Sequence, residues 1–150
     1  VIAWRSRTPV VLMALALAWS LAMTTVGKLV VGRSRPLHTM AVAPYENSPS
    51  FPSGHTLNMT VVVGILLYLL LPQIRTRTGR WLAVAFGALM SIGIGLSRVY
   101  LGHHWLTDVM AGWALGLGWV VAVVTAHRVY LTLRDDPNGH VGAGRPGSSD

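Results

Sequence analysis

Cysteine is absent from the 150 residues, which excludes a disulfide framework and any thiolate chemistry. Carboxylates are scarce too: of five acidic residues, only Glu46 and Asp108 precede Asp135. Lysine occurs once, at Lys28, and charged residues of all kinds make up 11% of the chain, against about a quarter in a soluble domain. So little charge excludes an ordinary water-soluble fold. A mean hydropathy of +0.51, with 52% hydrophobic residues, points instead to a membrane protein.

What is there is four apolar stretches, at residues 9–26, 57–71, 81–96 and 105–126. Crossing a hydrocarbon core of about 30 Å takes about 17 to 25 helical residues, so the second and third stretches need their polar ends to reach the interface. The expected fold is all-α, an integral-membrane bundle of four transmembrane helices. It forms one domain over residues 1–134, followed by a disordered cytoplasmic tail at 135–150 that is rich in Gly, Pro and Ser. The chain begins at Val1 with neither an initiator methionine nor a recognisable signal peptide, so it reads as a fragment from which earlier helices are missing.

A net charge of +7 raises nucleic acid as a partner. The basic residues flank apolar helices and form no aromatic-rich patch, so the bilayer is the expected partner and nucleic acid is not. Arg5 and Arg7 precede the first stretch, Arg75, Arg77 and Arg80 lie between the second and third, and Arg128 and Arg134 follow the fourth. The positive-inside rule places these segments, and both termini, in the cytoplasm. Lys28, Arg33, Arg35 and Arg98 then fall on the extracytoplasmic side, where orientation does not explain them.

Residues 28–52 are polar and hold four of the eight prolines, as expected of a long functional loop. The loop runs into "PSGH" at residues 52–55, directly before the second apolar stretch. Ser53 as N-cap and Gly54 as a site of close backbone approach would leave helix amide groups facing outward, where an anion binds. On the same side lies "SRVYLGHHWLTD", residues 97–108. If the fourth helix begins near His103, then His104 and Asp108 share a face, and the carboxylate fixes one imidazole proton while the other nitrogen keeps its lone pair. His103 points about 140° away and reads as an interfacial residue. Arg33 fits no motif position and reads as a surface charge or, as the less favoured alternative, an accessory contact. His38 says nothing in a polar loop, and His127 and His140 fall on the cytoplasmic side. Cations, histidines and a helix N-terminus together suit phosphate.

Gly87, Gly93 and Gly95 give the third helix a small-residue face, as Gly112, Gly116 and Gly118 do the fourth. Close packing of the third helix on the fourth is the expected use, ahead of a homodimer.

Three stretches, "KLVVGRSRP" at 28–36, "PSGH" at 52–55 and "SRVYLGHHWLTD" at 97–108, resemble the signature KxxxxxxRP, PSGH and SRxxxxxHxxxD of the type 2 phosphatidic acid phosphatase (PAP2) superfamily. That family shares its site with vanadium haloperoxidases. All three match in order without a gap, and "PSGH" alone should occur by chance in roughly one chain in a thousand of this length. The resemblance implies a hydrolase of a lipid phosphate or diphosphate. Undecaprenyl diphosphate, phosphatidic acid and phosphatidylglycerophosphate are the candidates, the first slightly favoured for an external site. It implies that His104, oriented by Asp108, attacks phosphorus to form a phosphohistidine. His55 then protonates the leaving oxygen and later activates water, while Lys28, Arg35, Arg98, Ser53 and the Gly54 amide cradle the phosphoryl group.

Membrane members usually carry six helices with the motifs around the last four, so this chain is expected to be the catalytic four-helix part. No metal and no cofactor is expected, because carboxylates for magnesium are scarce and the arginines would repel zinc from His55, His103 and His104. Two other functions compete. A non-catalytic lipid-phosphate binding or transport protein would tolerate loss of His104 or Asp108. A vanadate-dependent haloperoxidase would use His104 as its metal-oxide ligand, but four membrane spans argue against an enzyme type that is soluble and much longer.

Overall fold

The computed structural model describes residues 7–37, 39 and 41–135. Arg5, His38, His140 and the expected tail beyond Asp135 lie outside the described residues. Four helices form: α1 (Thr8–Val31), α2 (Gly54–Leu70), α3 (Arg77–Tyr100) and α4 (Leu106–Asp135), with a 3-10 turn at Leu71–Gln73 extending α2. All four are long and apolar enough to cross a membrane once that turn is counted with α2. No strand occurs among the described residues. The all-α bundle expected from hydropathy is the one that forms.

The helix ends follow local chemistry. Pro9 opens α1, where a missing N–H is harmless, and Gly32, at φ 58°, closes it by donating its N–H to the Lys28 carbonyl. Lys28 therefore lies in the last turn of α1, not in the loop. Thr76 caps α3 by accepting the Gly79 amide at 3.1 Å.

Side-chain size sorts inside from outside. Leu15, Trp19, Phe86, Leu89 and Val121 are each more than half exposed, whereas the buried stripes are Ala16, Ser20 and Thr24 on α1 and Gly87, Ser91 and Gly95 on α3. Lipid solvates the bulky residues, and the small ones let the backbones approach.

α2 is the central helix, packed against each of the other three. Its Leu57, Val61 and Ile65 form the core with Ala16. Polar contacts fix the register: Ser20 Oγ donates to Asn58 Oδ1 at 2.7 Å, Thr60 and Ser91 share a hydroxyl hydrogen bond of 2.8 Å, and the Trp113 indole donates to the Ser91 carbonyl at 3.2 Å. Such bonds contribute about 0.6 kcal/mol each between membrane helices, so they align more than they stabilise.

The glycine faces are used differently from expectation. A methyl group at Gly112 would come 3.0 Å from Thr56 Cβ, and one at Gly116 would come 2.8 Å from Thr60 Cβ, so the GxxxG face seats α4 on α2. Gly87 likewise meets Val63 and Leu67 of α2. Only Gly95 joins α3 to α4, against Val109 and Trp113, while Gly93 and Gly118 have nothing within 4 Å. A central helix needs small residues from its neighbours, which is why α2 takes three of the four that make a close contact.

This arrangement brings the C-terminal ends of α1 and α3 to the N-terminal ends of α2 and α4. A Cβ at Gly27 would strike Pro52, and one at Gly54 would lie 2.8 Å from Thr24 Cγ2, so the "PSGH" turn sits directly on α1.

Candidate active site

The histidine loop is built on the end of α3. The Leu101 amide donates to Ser97 O at 2.9 Å, and Gly102 follows at φ 69°, a left-handed conformation that glycine adopts without strain. The amides of His103 and His104 then both donate to Arg98 O, at 3.1 and 3.2 Å. The motif spacing from Arg98 to His104 is thus held by backbone hydrogen bonds.

α4 begins at Leu106, later than the expected His103. His104 is therefore not helical, and its approach to Asp108 has another cause. Asp108 lies in the first turn, where its Oδ2 reaches back to accept the Trp105 amide at 2.9 Å and so closes the helix start. The same oxygen comes 3.6 Å from His104 Nδ1, an ion-pair contact longer than a hydrogen bond. Both side chains are buried, and Nδ1 has no hydrogen-bond partner.

The other oxygen of Asp108 is held by Arg33, whose Nη1 donates to Oδ1 at 2.9 Å and to Thr107 Oγ1 at 2.6 Å. Its guanidinium also lies 5.4 Å from the centre of the Trp105 ring. Arg33 is thus the accessory contact and not the surface charge. His103 is not interfacial either: it is buried, with Nε2 2.7 Å from the Val42 carbonyl. A signal for Arg33 was present in the charge balance. Only two carboxylates precede Asp135, and each takes one arginine: Asp108 takes Arg33, and Glu46 takes Arg35 at 2.6 Å.

Arg35 is the hub of the site. Its Nε donates to Ser48 O at 2.7 Å, its Nη1 donates to His103 O at 2.7 Å and stands 3.3 Å from His104 Nε2, and its Nη2 donates to Glu46. Lys28 Nζ donates to Ser48 Oγ at 2.7 Å. Glu46 presents to Arg35 the oxygens that a phosphate would present. Burial works against its charge, but Arg35, foremost among several cations, leaves the carboxyl below its usual pKa. Burial and then the Arg35 guanidinium push His104 down to about 4, against the opposite pull of the Ser50 backbone, Asp108 and Glu46. His104 is therefore neutral at physiological pH, with a lone pair to offer.

Ser53 holds the N-cap position of α2 as expected, yet its side chain makes no capping bond. It is fully buried, accepting from Thr56 Oγ1 at 2.9 Å while its amide donates to Asp108 O at 3.1 Å. His55, one residue into α2, is exposed. A cavity of about 430 Å³ opens here. Lys28, Glu46, Gly54, His55 and His104 form its polar side, and Met59, Val62 and Ile94 its apolar side. Arg35, Ser53, Arg98 and Asp108 are not among its lining residues, and the Arg98 Nε is buried without a hydrogen-bond partner. A larger groove of about 520 Å³ between α1 and α2, lined by Met13, Leu66 and Leu70, carries no group that can act on phosphate. Among the described residues, no three His, Asp or Glu side chains are placed to hold a metal ion.

A buried imidazole that faces an arginine and lines a cavity with both polar and apolar residues suits a phosphorylated amphiphile. Comparison with known proteins agrees, for the model of the PAP2 superfamily matches residues 9–131. The chain belongs to the PAP2 superfamily. It is similar to phosphatidylglycerophosphatase B of Bacillus subtilis, with 35% identity over 58% of this chain and 42% of that one. It is also similar to an undecaprenyl-diphosphatase of Sulfolobus acidocaldarius, with 30% identity over 77% and 53%, and to a lipid A 1-phosphatase of Rhizobium etli, with 34% over 75% and 48%. The crystal structure of a transmembrane PAP2-type phosphatidylglycerolphosphate phosphatase from Bacillus subtilis superposes with a TM-score of 0.71 at 30% identity. That match covers 81% of this chain and 59% of the other. This PAP2 chain spans about half the length of the relatives it matches. All-helical among its described residues, it is an integral membrane protein, as the superposed phosphatase is a transmembrane one.

Proposed function

We propose that this PAP2 chain hydrolyses a lipid phosphate or diphosphate through a phosphohistidine on His104, without a metal. The observation that carries the reading is the setting of that ring: buried, backed by Asp108 at 3.6 Å and facing Arg35 at 3.3 Å. His104 Nε2 attacks phosphorus as the bond to the leaving oxygen breaks. His55, on the open side of the cavity, gives that oxygen its proton. It then takes a proton from the water that splits the phosphorus–nitrogen bond and releases phosphate. Lys28, Arg35 and Arg98 neutralise the charge that accumulates on the phosphoryl oxygens, with Ser53 and Gly54 at the helix start. As His104 becomes positive, its contact with Asp108 shortens into a charge-assisted hydrogen bond.

The substrate displaces Glu46 from Arg35, while its chain leaves along Met59, Val62 and Ile94 toward the bilayer. The names of the relatives support lipid phosphates and diphosphates as the class. The site opens on the extracytoplasmic face, since Arg75, Arg77, Arg80, Arg128 and Arg134 gather at the other end of the helices. Cysteines placed at Asn47 and Thr78 should label from opposite sides of the membrane, and labelling from one side would overturn that orientation.

Phosphate release in mixed micelles with EDTA, from phosphatidic acid, phosphatidylglycerophosphate and undecaprenyl diphosphate, tests the activity. Release that disappears in His104→Ala is expected. Binding without release from any of the three, by folded protein, would favour a binding or transport role.

A further inference from the structure

We propose that Arg33 is a positioning residue for the reaction, locking the Asp108 carboxylate in the orientation that aims the His104 ring at the substrate. The inference rests on the reading of His104 as nucleophile.

Three groups converge on Asp108, and each fixes a different degree of freedom. The Trp105 amide holds Oδ2 at 2.9 Å, Arg33 holds Oδ1 at 2.9 Å, and His104 Nδ1 lies 3.6 Å from Oδ2. A carboxylate held by one oxygen can still swing about it. Held by both, its plane is fixed, and so is the lone-pair direction offered to the imidazole. Arg33 is itself clamped. Its second contact is Thr107 Oγ1 at 2.6 Å, its face lies against the Trp105 ring, and the Trp105 indole donates to Ser34 O at 3.0 Å. Its own carbonyl accepts the Ser50 amide at 2.8 Å. The end of α1, the start of α4 and the segment before α2 thereby meet at one ion pair.

Charge points the same way. Asp108 is fully buried, and a buried carboxylate persists only with a partner. A neutral imidazole at 3.6 Å cannot neutralise it, so before catalysis Arg33 is its cation. During the reaction His104 turns positive and draws on the same carboxylate. Arg33 thus tempers the pull of Asp108 on His104, keeping the ring unprotonated until phosphorus is attacked. The charged and titratable groups facing this pair are Arg33, Arg35 and Glu46 from the segment between α1 and α2, Lys28 of α1, His55 of α2, Arg98 of α3 and the neighbouring His103. Of these, only Arg33 contacts Oδ1.

The test is a double-mutant cycle on Arg33→Met and Asp108→Asn, with Arg33→Lys and His104→Ala alongside, assayed on full-length protein in micelles. Arg33→Met should lower kcat roughly 10- to 100-fold, as a small misplacement of a reacting group does, with KM within about twofold. Its acid limb in kcat/KM should move up by about one pH unit, because Asp108, no longer tempered, favours the protonated ring. Arg33→Lys should recover most of the kcat. The double variant should be no slower than Asp108→Asn alone, and it should fold even where Arg33→Met does not, since no buried charge is left unpaired. Additive losses in the double variant, a change confined to KM, or a lower melting temperature with an unmoved acid limb would each overturn the proposal. Activity retained by His104→Ala would instead overturn the reading of the nucleophile on which it rests.

Discussion

The two ends of this bundle use arginine in opposite ways. At one end Arg75, Arg77, Arg80, Arg128 and Arg134 are all exposed. At the other, Arg35 is 9% exposed in its side chain, Arg33 is half-buried, and both are in ion pairs; among the described residues all the ion pairs lie at this end. Positive charge that serves only to orient a helix in a membrane needs no particular partner and can stay solvated. A phosphate site requires charge at fixed positions, and fixing it requires the scarce carboxylates. Both that precede Asp135 are spent there. Among the described residues, the same residue type is thus exposed and outside any ion pair at one end, and held by carboxylates at the other.

The sharpest way to break this contrast is to neutralise a held charge. Asp108→Asn should lower kcat roughly 10³- to 10⁴-fold, as loss of the carboxylate behind a catalytic histidine does elsewhere, and phosphate release from micelles would measure it. A loss under tenfold would mean that Asp108 serves the fold alone.

A second test uses pH. The proposed attack requires unprotonated His104, and burial with the adjacent Arg35 disfavours its charged form, holding its pKa at about 4. Because kcat/KM reports the free enzyme, its acid limb should appear near pH 4 once substrate titration is subtracted, not near the ordinary 6.5 of histidine. A limb near 6.5 that moves on substituting His104 would contradict the burial and the cationic neighbour.

Smaller effects come from Glu46. Glu46→Gln removes the anion that competes for Arg35, so KM for a phosphate monoester should fall by about three- to tenfold with kcat little changed. A raised KM would mean that Glu46 supports the site instead of occupying it. Smallest of all should be Arg77→Ala at the far end. Less than a twofold change in activity is expected, with stability within about 0.5 kcal/mol in a detergent melt. A larger loss would show that the two ends are not as separate as their burial suggests.

Much of the fold was legible because hydropathy reports lipid exposure directly. The four apolar stretches each became a spanning helix, and the motif residues Lys28, His55 and His104 line one cavity. Helix starts were less legible. Asp108 moved the beginning of α4 to Leu106 by accepting the Trp105 amide, a bond between neighbours that apolar periodicity does not register. The glycines show a similar limit: a small-residue face announces a close approach but not its partner, and α2 took Gly87, Gly112 and Gly116, which were assigned to the packing of α3 on α4. Arg33 and Glu46 stood out from no motif. They become visible only when cations and carboxylates on one side are counted against each other, because a buried charge must find its opposite.

The most direct test of the central claim is to quench the enzyme during turnover and locate the phosphoryl group by peptide mass spectrometry under alkaline conditions, where a phosphoryl–nitrogen bond survives. The account predicts an adduct on His104 that accumulates when His55→Ala slows hydrolysis of the intermediate, and that is absent from His104→Ala. Full turnover with no adduct in either enzyme, or an adduct on His55 or His103, would contradict it.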